Sequence, residues 1–164
     1  MIRKCDRRDR DRLYLIINEA AKAYENVIPP DCYYQPYMSG EELEREMRRI
    51  TLFGWEENGE LTGVMGLEEI KDVTLIRHAY VLPGWQKKGI GSRLLKYLKK
   101  QAGTCRLLVG TWADARWAIE FYKKYGFTLI QDKDKLLKTY WDIPERQVET
   151  SVVLGIELKG KRKK

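Results

Sequence analysis

The stretch that decides the reading is Ala79-Tyr80-Val81-Leu82-Pro83-Gly84-Trp85-Gln86-Lys87-Lys88-Gly89-Ile90-Gly91-Ser92-Arg93. A β-rich run breaks at Pro83-Gly84, passes through a basic turn punctuated by glycines, and opens a helix. The first backbone N–H groups of a helix have no intrahelical acceptor, and the positive end of its dipole lies among them. Such a turn is suited to phosphate. Gly89 and Gly91 let the main chain approach an anion closely. Lys87 and Lys88 add charge, and Ser92 offers a hydroxyl. A helix that merely begins with glycines has the same local pattern. Two familiar phosphate motifs fail here: G-x-G-x-x-G would need a glycine at Leu94, and the spacing G-x-x-x-x-G-K-[ST] is met nowhere. A nucleotide triphosphatase is therefore disfavoured.

Downstream of this turn, Ile90, Leu94, Leu95 and Leu98 recur at helical spacing, with Gly103 as the expected stop. A short strand is expected from Arg106 to Val109. A helix capped by Asp114 follows, carrying Trp117, Ala118, Phe121 and Tyr122 and ended by Gly126. Strands are expected over Phe127–Gln131 and Ser151–Leu158, and the segment Asp132–Gln147 reads as a helical turn and a loop. Upstream, Ile2–Cys5 forms a first strand, and Asp6 caps a helix with Leu13, Ile16, Ile17, Ala20 and Tyr24 on one face. Cys32–Met38 is an aromatic loop. Ser39 with Glu42 makes a capping box for a helix through Leu43, Met47 and Ile50. Strands at Thr51–Trp55, Leu61–Leu67 and Val73–Leu82 are linked by turns at Asn58-Gly59 and Lys71-Asp72. The sum is an α/β chain with a mixed, mostly antiparallel central sheet flanked by helices. Hairpins build its first half and strand–helix–strand crossovers its second.

With 164 residues, the chain has the length of one domain. We expect a single domain over residues 1–158 and a basic tail over 159–164. At 43% hydrophobic and 34% charged it can bury a core. No run of about 18 uncharged apolar residues exists to span a membrane. The charged start Met1-Ile2-Arg3-Lys4 lacks the apolar stretch of a signal peptide. Cys5, Cys32 and Cys105 are far apart, no C-x-x-C occurs, and His78 is the lone histidine. No disulfide framework or metal site is expected, and the expected home is a reducing cytoplasm. The net charge of +7 points to an anionic partner, with nucleic acid, a phosphorylated cofactor and an acidic membrane face all qualifying.

Gln86-Lys87-Lys88-Gly89-Ile90-Gly91 resembles the Q/R-x-x-G-x-G/A signature of the GNAT acyl-CoA N-acyltransferase superfamily. Val81 and Pro83 sit where that family has its strand and bend. Ala118-Ile119-Glu120-Phe121-Tyr122-Lys123-Lys124-Tyr125-Gly126-Phe127 is similar to its A-x-x-F-Y-x-x-x-G-F helix. The two motifs occur in the family's order with a short strand between them. The resemblance implies a sheet splayed at a cofactor cleft and acetyl-CoA (coenzyme A) as cofactor. The amides of Lys87, Lys88, Gly89, Ile90, Gly91 and Ser92, beside Gln86, would hold its pyrophosphate. Main-chain groups of Ala79, Tyr80 and Val81 would pair with its pantetheine arm like an added strand. It further implies that the Ala79 N–H polarises the thioester carbonyl and that Tyr122 protonates the departing thiolate. A phenol with a pKa near 10 can donate at neutral pH. Core packing of Phe121 and Tyr122 is the plain alternative. Where the family often has asparagine, this sequence has Ala115, so a side-chain contact to the cofactor is missing, with the backbone or Arg116 to compensate.

The implied reaction is acetyl transfer to a primary amine, borne by a small molecule or a peptide, by direct attack in a ternary complex. An ammonium must first lose its proton. The candidate bases are Glu68, Glu69 and His78, with water an equal alternative. Imidazole, near 6.5 when unperturbed, is the best-matched side-chain type. In a regular strand His78 would face away from Ala79, and Glu68 and Glu69 would face opposite sides. An acyl-cysteine at Cys105 is a further option. Tyr33, Tyr34, Gln35, Pro36 and Tyr37, with Tyr24 and Trp141, are expected either to line an aromatic acceptor pocket or to cover the first helix. Dimers are frequent among proteins of this kind. Two rivals stand: a non-catalytic acyl-CoA-binding module, favoured by Ala115, and a basic nucleic-acid or ribosome-associated protein, which lacks an aromatic RNA-binding strand.

Overall fold

A computed structural model of the chain describes residues 1–160. It divides into two compact units, one built from residues 1–23, 34–68 and 76–102, the other from residues 24–33, 69–75 and those from 103 onward. The fold is mixed α/β, with mostly antiparallel strands flanked by helices, as expected.

In the first unit, β1 (Ile2–Lys4) pairs antiparallel with β2 (Thr51–Glu57), and β2 pairs with β3 (Glu60–Ile70). The turn between β2 and β3 needs two consecutive left-handed residues. Asn58 at φ 51° and Gly59 at φ 83° supply them, as a two-residue hairpin of this hand requires. β3 leads through Lys71-Asp72 into β4 (Val73–Val81), with Lys71 again left-handed at φ 54°. From Leu61 to Glu68 every residue of β3 is buried. One side is covered by α1 (Arg10–Ala21) and α2 (Gly40–Arg49), whose Leu13, Ile16, Ile17 and Leu43 join Leu52, Leu61 and Val64 in a single core.

Both helices start where their caps place them. Asp6 accepts from the Arg8 amide at 2.9 Å and Asp9 from the Asp6 amide at 2.8 Å, closing a box around the short 3₁₀ turn Arg7–Asp9 before α1. Ser39 Oγ accepts from the Glu42 amide at 3.1 Å. The last helix of this unit, α3 (Ile90–Gln101), buries Ile90, Leu94, Leu95 and Leu98, each side chain contributing about 2 kcal/mol on leaving water. It ends on an extended Ala102 rather than on a left-handed Gly103.

In the second unit, β5 (Arg106–Trp112) pairs antiparallel with β7 (Ser151–Glu157), and the two-residue β6 (Thr128–Leu129) pairs with the other side of β7. The last strand is thus inserted between two earlier ones. α4 (Arg116–Lys124) joins β5 to β6. Its N-cap is Ala115, with no side-chain bond, and the expected cap Asp114 offers only its carbonyl, to the Arg116 amide at 2.9 Å. The segment expected as a turn and a loop holds two short helices, α5 (Lys133–Tyr140) and α6 (Glu145–Glu149). Leu137 and Val148 from these helices pack with Val73, Leu75, Leu108 and Val153. The lysines flanking Leu136 and Leu137 hide that apolar spacing in the sequence. Of the basic tail expected over 159–164, residues 161–164 lie outside the described residues.

Candidate active site

The loop between β4 and α3 is shaped by two left-handed residues, Lys87 at φ 64° and Gly89 at φ 81°. Pro83–Trp85 makes a 3₁₀ turn out of the strand. Gln86 then reaches back, its Nε2 donating to the Val81 carbonyl at 3.1 Å. Gly89 caps α3 without any side-chain bond, and the Arg93 amide makes the first helical bond, to the Gly89 carbonyl at 3.0 Å. Helix geometry therefore leaves the amides of Ile90, Gly91 and Ser92 without an intrahelical acceptor. Ser92 Oγ folds back onto the Gly89 carbonyl at 3.0 Å. Within Gln86–Arg93 there are three cations, Lys87, Lys88 and Arg93, and no carboxylate. Lys88 lies over the Trp85 ring at 5.7 Å and Arg93 over the Trp55 ring at 5.2 Å. Left-handed residues beside helical ones turn successive amides toward one point, an anion-receiving geometry.

Strand β4 leads into this loop with a distortion of its own. His78 sits at φ 55°, a conformation costing about 1–2 kcal/mol for a residue with a Cβ, though histidine is among those found there more often. The regular alternation that would set His78 opposite Ala79 is broken at this residue. Tyr80 meets Tyr37 edge-on, with ring centroids 6.3 Å apart.

A charge cluster around two buried carboxylates, not foreseen from the sequence, adjoins the distortion. His78 Nε2 lies 3.0 Å from Glu46 Oε1. Arg77 donates to Glu46 at 3.1 Å and to Glu68 at 2.6 Å, and Arg49 bonds both carboxylates. Burial pushes the Glu46 pKa up, but the His78 hydrogen bond and charge, with Arg77 and Arg49, prevail and hold it at about 2. Glu68 is tied to two guanidiniums and buried, so it is not a free base. The signal in the sequence was a carboxylate on the apolar stripe of α2: Glu46 stands three residues after Leu43 and four before Ile50.

The structure gathers His78, Ala79, Tyr80, Val81 and Gln86–Ser92 in the first unit; Glu69 and Tyr122 belong to the second. Glu69 is exposed and lies across Gly103, where an added Cβ would come within 1.9 Å of its Oε1. Tyr122 is buried on α4, between Phe121 at 5.1 Å and Phe127 at 5.4 Å. Burial, with a smaller contribution from Tyr24, raises its pKa well above that of free tyrosine, so the phenol stays protonated. Trp141 is not free for an acceptor pocket: it packs against Gly110 and the core of the second unit. Tyr24 rests on Trp117 at 4.9 Å. Burial also pushes the Cys5 thiol up to about 12. Among the described residues no group of three His, Cys, Asp or Glu side chains could hold a metal, and no helix is long and apolar enough to cross a membrane.

A mixed α/β protein whose strand runs through a glycine turn into an anion-receiving helix start is the class defined by this geometry. The chain belongs to the acetyltransferase (GNAT) family, which it matches over residues 13–127. No curated protein sequence matches it. Among solved structures it is similar to a GNAT-family acetyltransferase from Staphylococcus aureus Mu50, with 20% identity, a TM-score of 0.73, and 97% and 99% of the two chains covered. It is similar to the ribosomal-protein-S18-alanine N-acetyltransferase of Escherichia coli at 18% identity and TM-score 0.69, covering 96% of this chain and 93% of that one. The PaiA N-acetyltransferase of Thermoplasma acidophilum, in complex with coenzyme A, aligns at 20% identity and TM-score 0.70, with coverages of 96% and 98%.

Proposed function

We propose that this protein transfers an acetyl group from acetyl-CoA to a primary amine by direct attack in a ternary complex. The observation that carries the reading is the Gln86–Arg93 stretch. Two left-handed residues and an uncapped helix start present free amides beside three cations, with no acid in reach along the loop. A diphosphate fits that donor set, because each free amide gains a charged acceptor and the helix dipole has the favourable sign.

Bound there, acetyl-CoA supplies an activated acetyl thioester. This chain's residues do the rest. Lys87 and Lys88 draw the diphosphate in, and the amides of Lys87–Ser92 hold it. Val81 already gives its carbonyl to Gln86, so pairing of an extended arm at this residue falls to its N–H or displaces that side chain. The Ala79 N–H is the proposed donor to the carbonyl oxygen. A fixed donor of this kind is worth about 3 kcal/mol where negative charge develops. Tyr122 is the proposed acid. Burial keeps its phenol protonated, so the O–H is present as a donor at neutral pH.

The test is thiol release from acetyl-CoA across a panel of amines. One structural neighbour is an N-acetyltransferase of a ribosomal-protein alanine, so alanine-initiated peptides belong in that panel beside small primary amines. Release above the solvent rate with any acceptor supports the reading; none with any acceptor removes it. A second reading, a coenzyme-A-binding module without turnover, is favoured by one observation: Ala115 is fully buried and offers no side-chain group at the start of α4. Tight cofactor binding with no acetylated product would select it.

A further inference from the structure

We propose that His78 is the base that deprotonates the acceptor amine and that Glu46 is its positioning residue, the two forming a carboxylate–imidazole dyad built on the distortion of β4. The proposal rests on the acetyltransferase reading above.

Three observations meet at this pair. First, His78 is held in a left-handed conformation inside a strand, immediately before the amide proposed to receive the oxyanion. Strain of this kind persists only where the surroundings enforce it, and it clusters at working sites. The peptide bond linking His78 to Ala79 keeps the imidazole within one residue of that amide. Second, Glu46 fixes the ring. Its Oε1 lies 3.0 Å from Nε2, and the two side chains are only 8% and 12% exposed. A carboxylate is an acceptor only, so Nε2 carries the proton and Nδ1 keeps the lone pair. Third, Nδ1 has no hydrogen-bond partner among the described residues, yet it is not sealed from solvent. It is the one basic atom of this cluster left for an incoming group.

The other charges around the ring, together with the His78 bond, keep Glu46 a carboxylate. Arg49 from α2 and Arg77 from β4 each bridge Glu46 and Glu68, the latter on β3. Two carboxylates face two guanidiniums, so the imidazole completes the cluster without being needed for charge balance. A purely structural ion network would close with the four charges alone.

Nδ1 takes one proton from the ammonium of the acceptor. The freed nitrogen lone pair attacks the thioester carbonyl carbon, forming the C–N bond while the carbonyl π pair moves to oxygen. When that pair returns, the C–S bond breaks and its electrons leave with sulfur. The thiolate takes its proton from the Tyr122 phenol, which the second proton from nitrogen restores. The proton on His78 passes to solvent. Acetamide, free thiol and one proton are the products.

His78 is the lone histidine, so its ring nitrogens give one unambiguous pair of signals in protein labelled with [15N]histidine. The expected spectrum of the neutral ring has the proton on Nε2. In E46Q, the side-chain amide can donate to Nε2, and the Nδ1–H form should appear. H78G keeps the left-handed backbone, which suits glycine, and opens room for added imidazole. Its kcat should fall about 10²–10⁴-fold, the range for loss of a general base, with KM for acetyl-CoA nearly unchanged. Imidazole in the buffer should restore part of the loss. A wild-type ring protonated on Nδ1, an H78G enzyme with wild-type kcat, or a loss that imidazole does not relieve would each overturn the proposal. A protein that acetylates no amine sinks the proposed function and the base together, and the nitrogen spectrum then decides separately whether the dyad exists.

Discussion

A Cβ placed on Gly63 of β3 would stand 2.9 Å from Ile90 Cγ2, the first side chain of α3, and 3.3 Å from Val81 Cγ2. The strand backbone thus sets how closely the start of the helix seats. Both contacts are to β-branched side chains with few alternative rotamers, so Gly63→Ala must shift the helix rather than a flexible tip. Overpacking of this kind costs about 1–3 kcal/mol. Calorimetric unfolding of Gly63→Ala should show that loss. Titration with acetyl-CoA should show affinity reduced about tenfold, because the displaced turn carries the amides. A variant with lowered stability and unchanged affinity would detach this contact from the site.

Gly89 calls for a different experiment. It is left-handed at φ 81°, and the nearest atom to an added Cβ is Ser92 Oγ at 3.8 Å. Space is available; the penalty of Gly89→Ala is conformational, about 1–2 kcal/mol. The loop can relieve it locally by turning its amides aside. Thermal stability should therefore change little while acetyl-CoA affinity falls at least tenfold. Equal affinity in the variant would mean that the loop does not hold the diphosphate.

The charge cluster makes an acid-stability prediction. The Glu46 carboxyl has a folded-state pKa of about 2, against 4.5 for the free side chain. A depressed carboxyl stabilises the fold above its unfolded pKa, and that stabilisation is lost as the pH falls through the folded value. The window is therefore about pH 4.5 down to 2. The shift is equivalent to about 3 kcal/mol. Denaturant midpoints measured from pH 6 to 2.5 should fall steeply for the wild type and more gently for Glu46→Gln, which starts less stable. Parallel slopes would show that Glu46 is not what links this fold to protons.

How far the sequence could be read depended on how local each signal was. The Asn58-Gly59 turn, the Ser39 cap and the apolar spacing of Ile90, Leu94, Leu95 and Leu98 are set by neighbours within a few residues. They appear in the fold with boundaries nearly as expected. The glycine turn was legible for the same reason. The two short helices between Asp132 and Glu149 were not, because their apolar residues take meaning only from Val73, Leu75 and Val153, distant in sequence. Asp114 looked like a cap until the tight turn at Ala115 displaced it. At the candidate site, the left-handed His78 and its tie to Glu46 join residues 32 positions apart. No pattern along one strand announces either. A glutamate on the apolar stripe of α2 was the visible trace, and a buried carboxylate there demands a partner.

Tyr122 supports the sharpest kinetic test of the remaining site assignment. Its hydroxyl belongs to a buried ring among Phe121, Phe127 and Tyr24, and its pKa is raised by that burial. Tyr122→Phe removes one oxygen and leaves the packing of the ring intact, so α4 should keep its place and stability should change by less than about 1 kcal/mol. If the phenol protonates the departing thiolate, kcat should drop about 10²-fold, whereas KM for acetyl-CoA should hold within a factor of about two. The defect should also shrink with thioesters of more acidic thiols, whose thiolates leave without a proton. A phenylalanine variant with full turnover, or one equally impaired on every thioester, would assign Tyr122 to packing and move the search for the acid elsewhere.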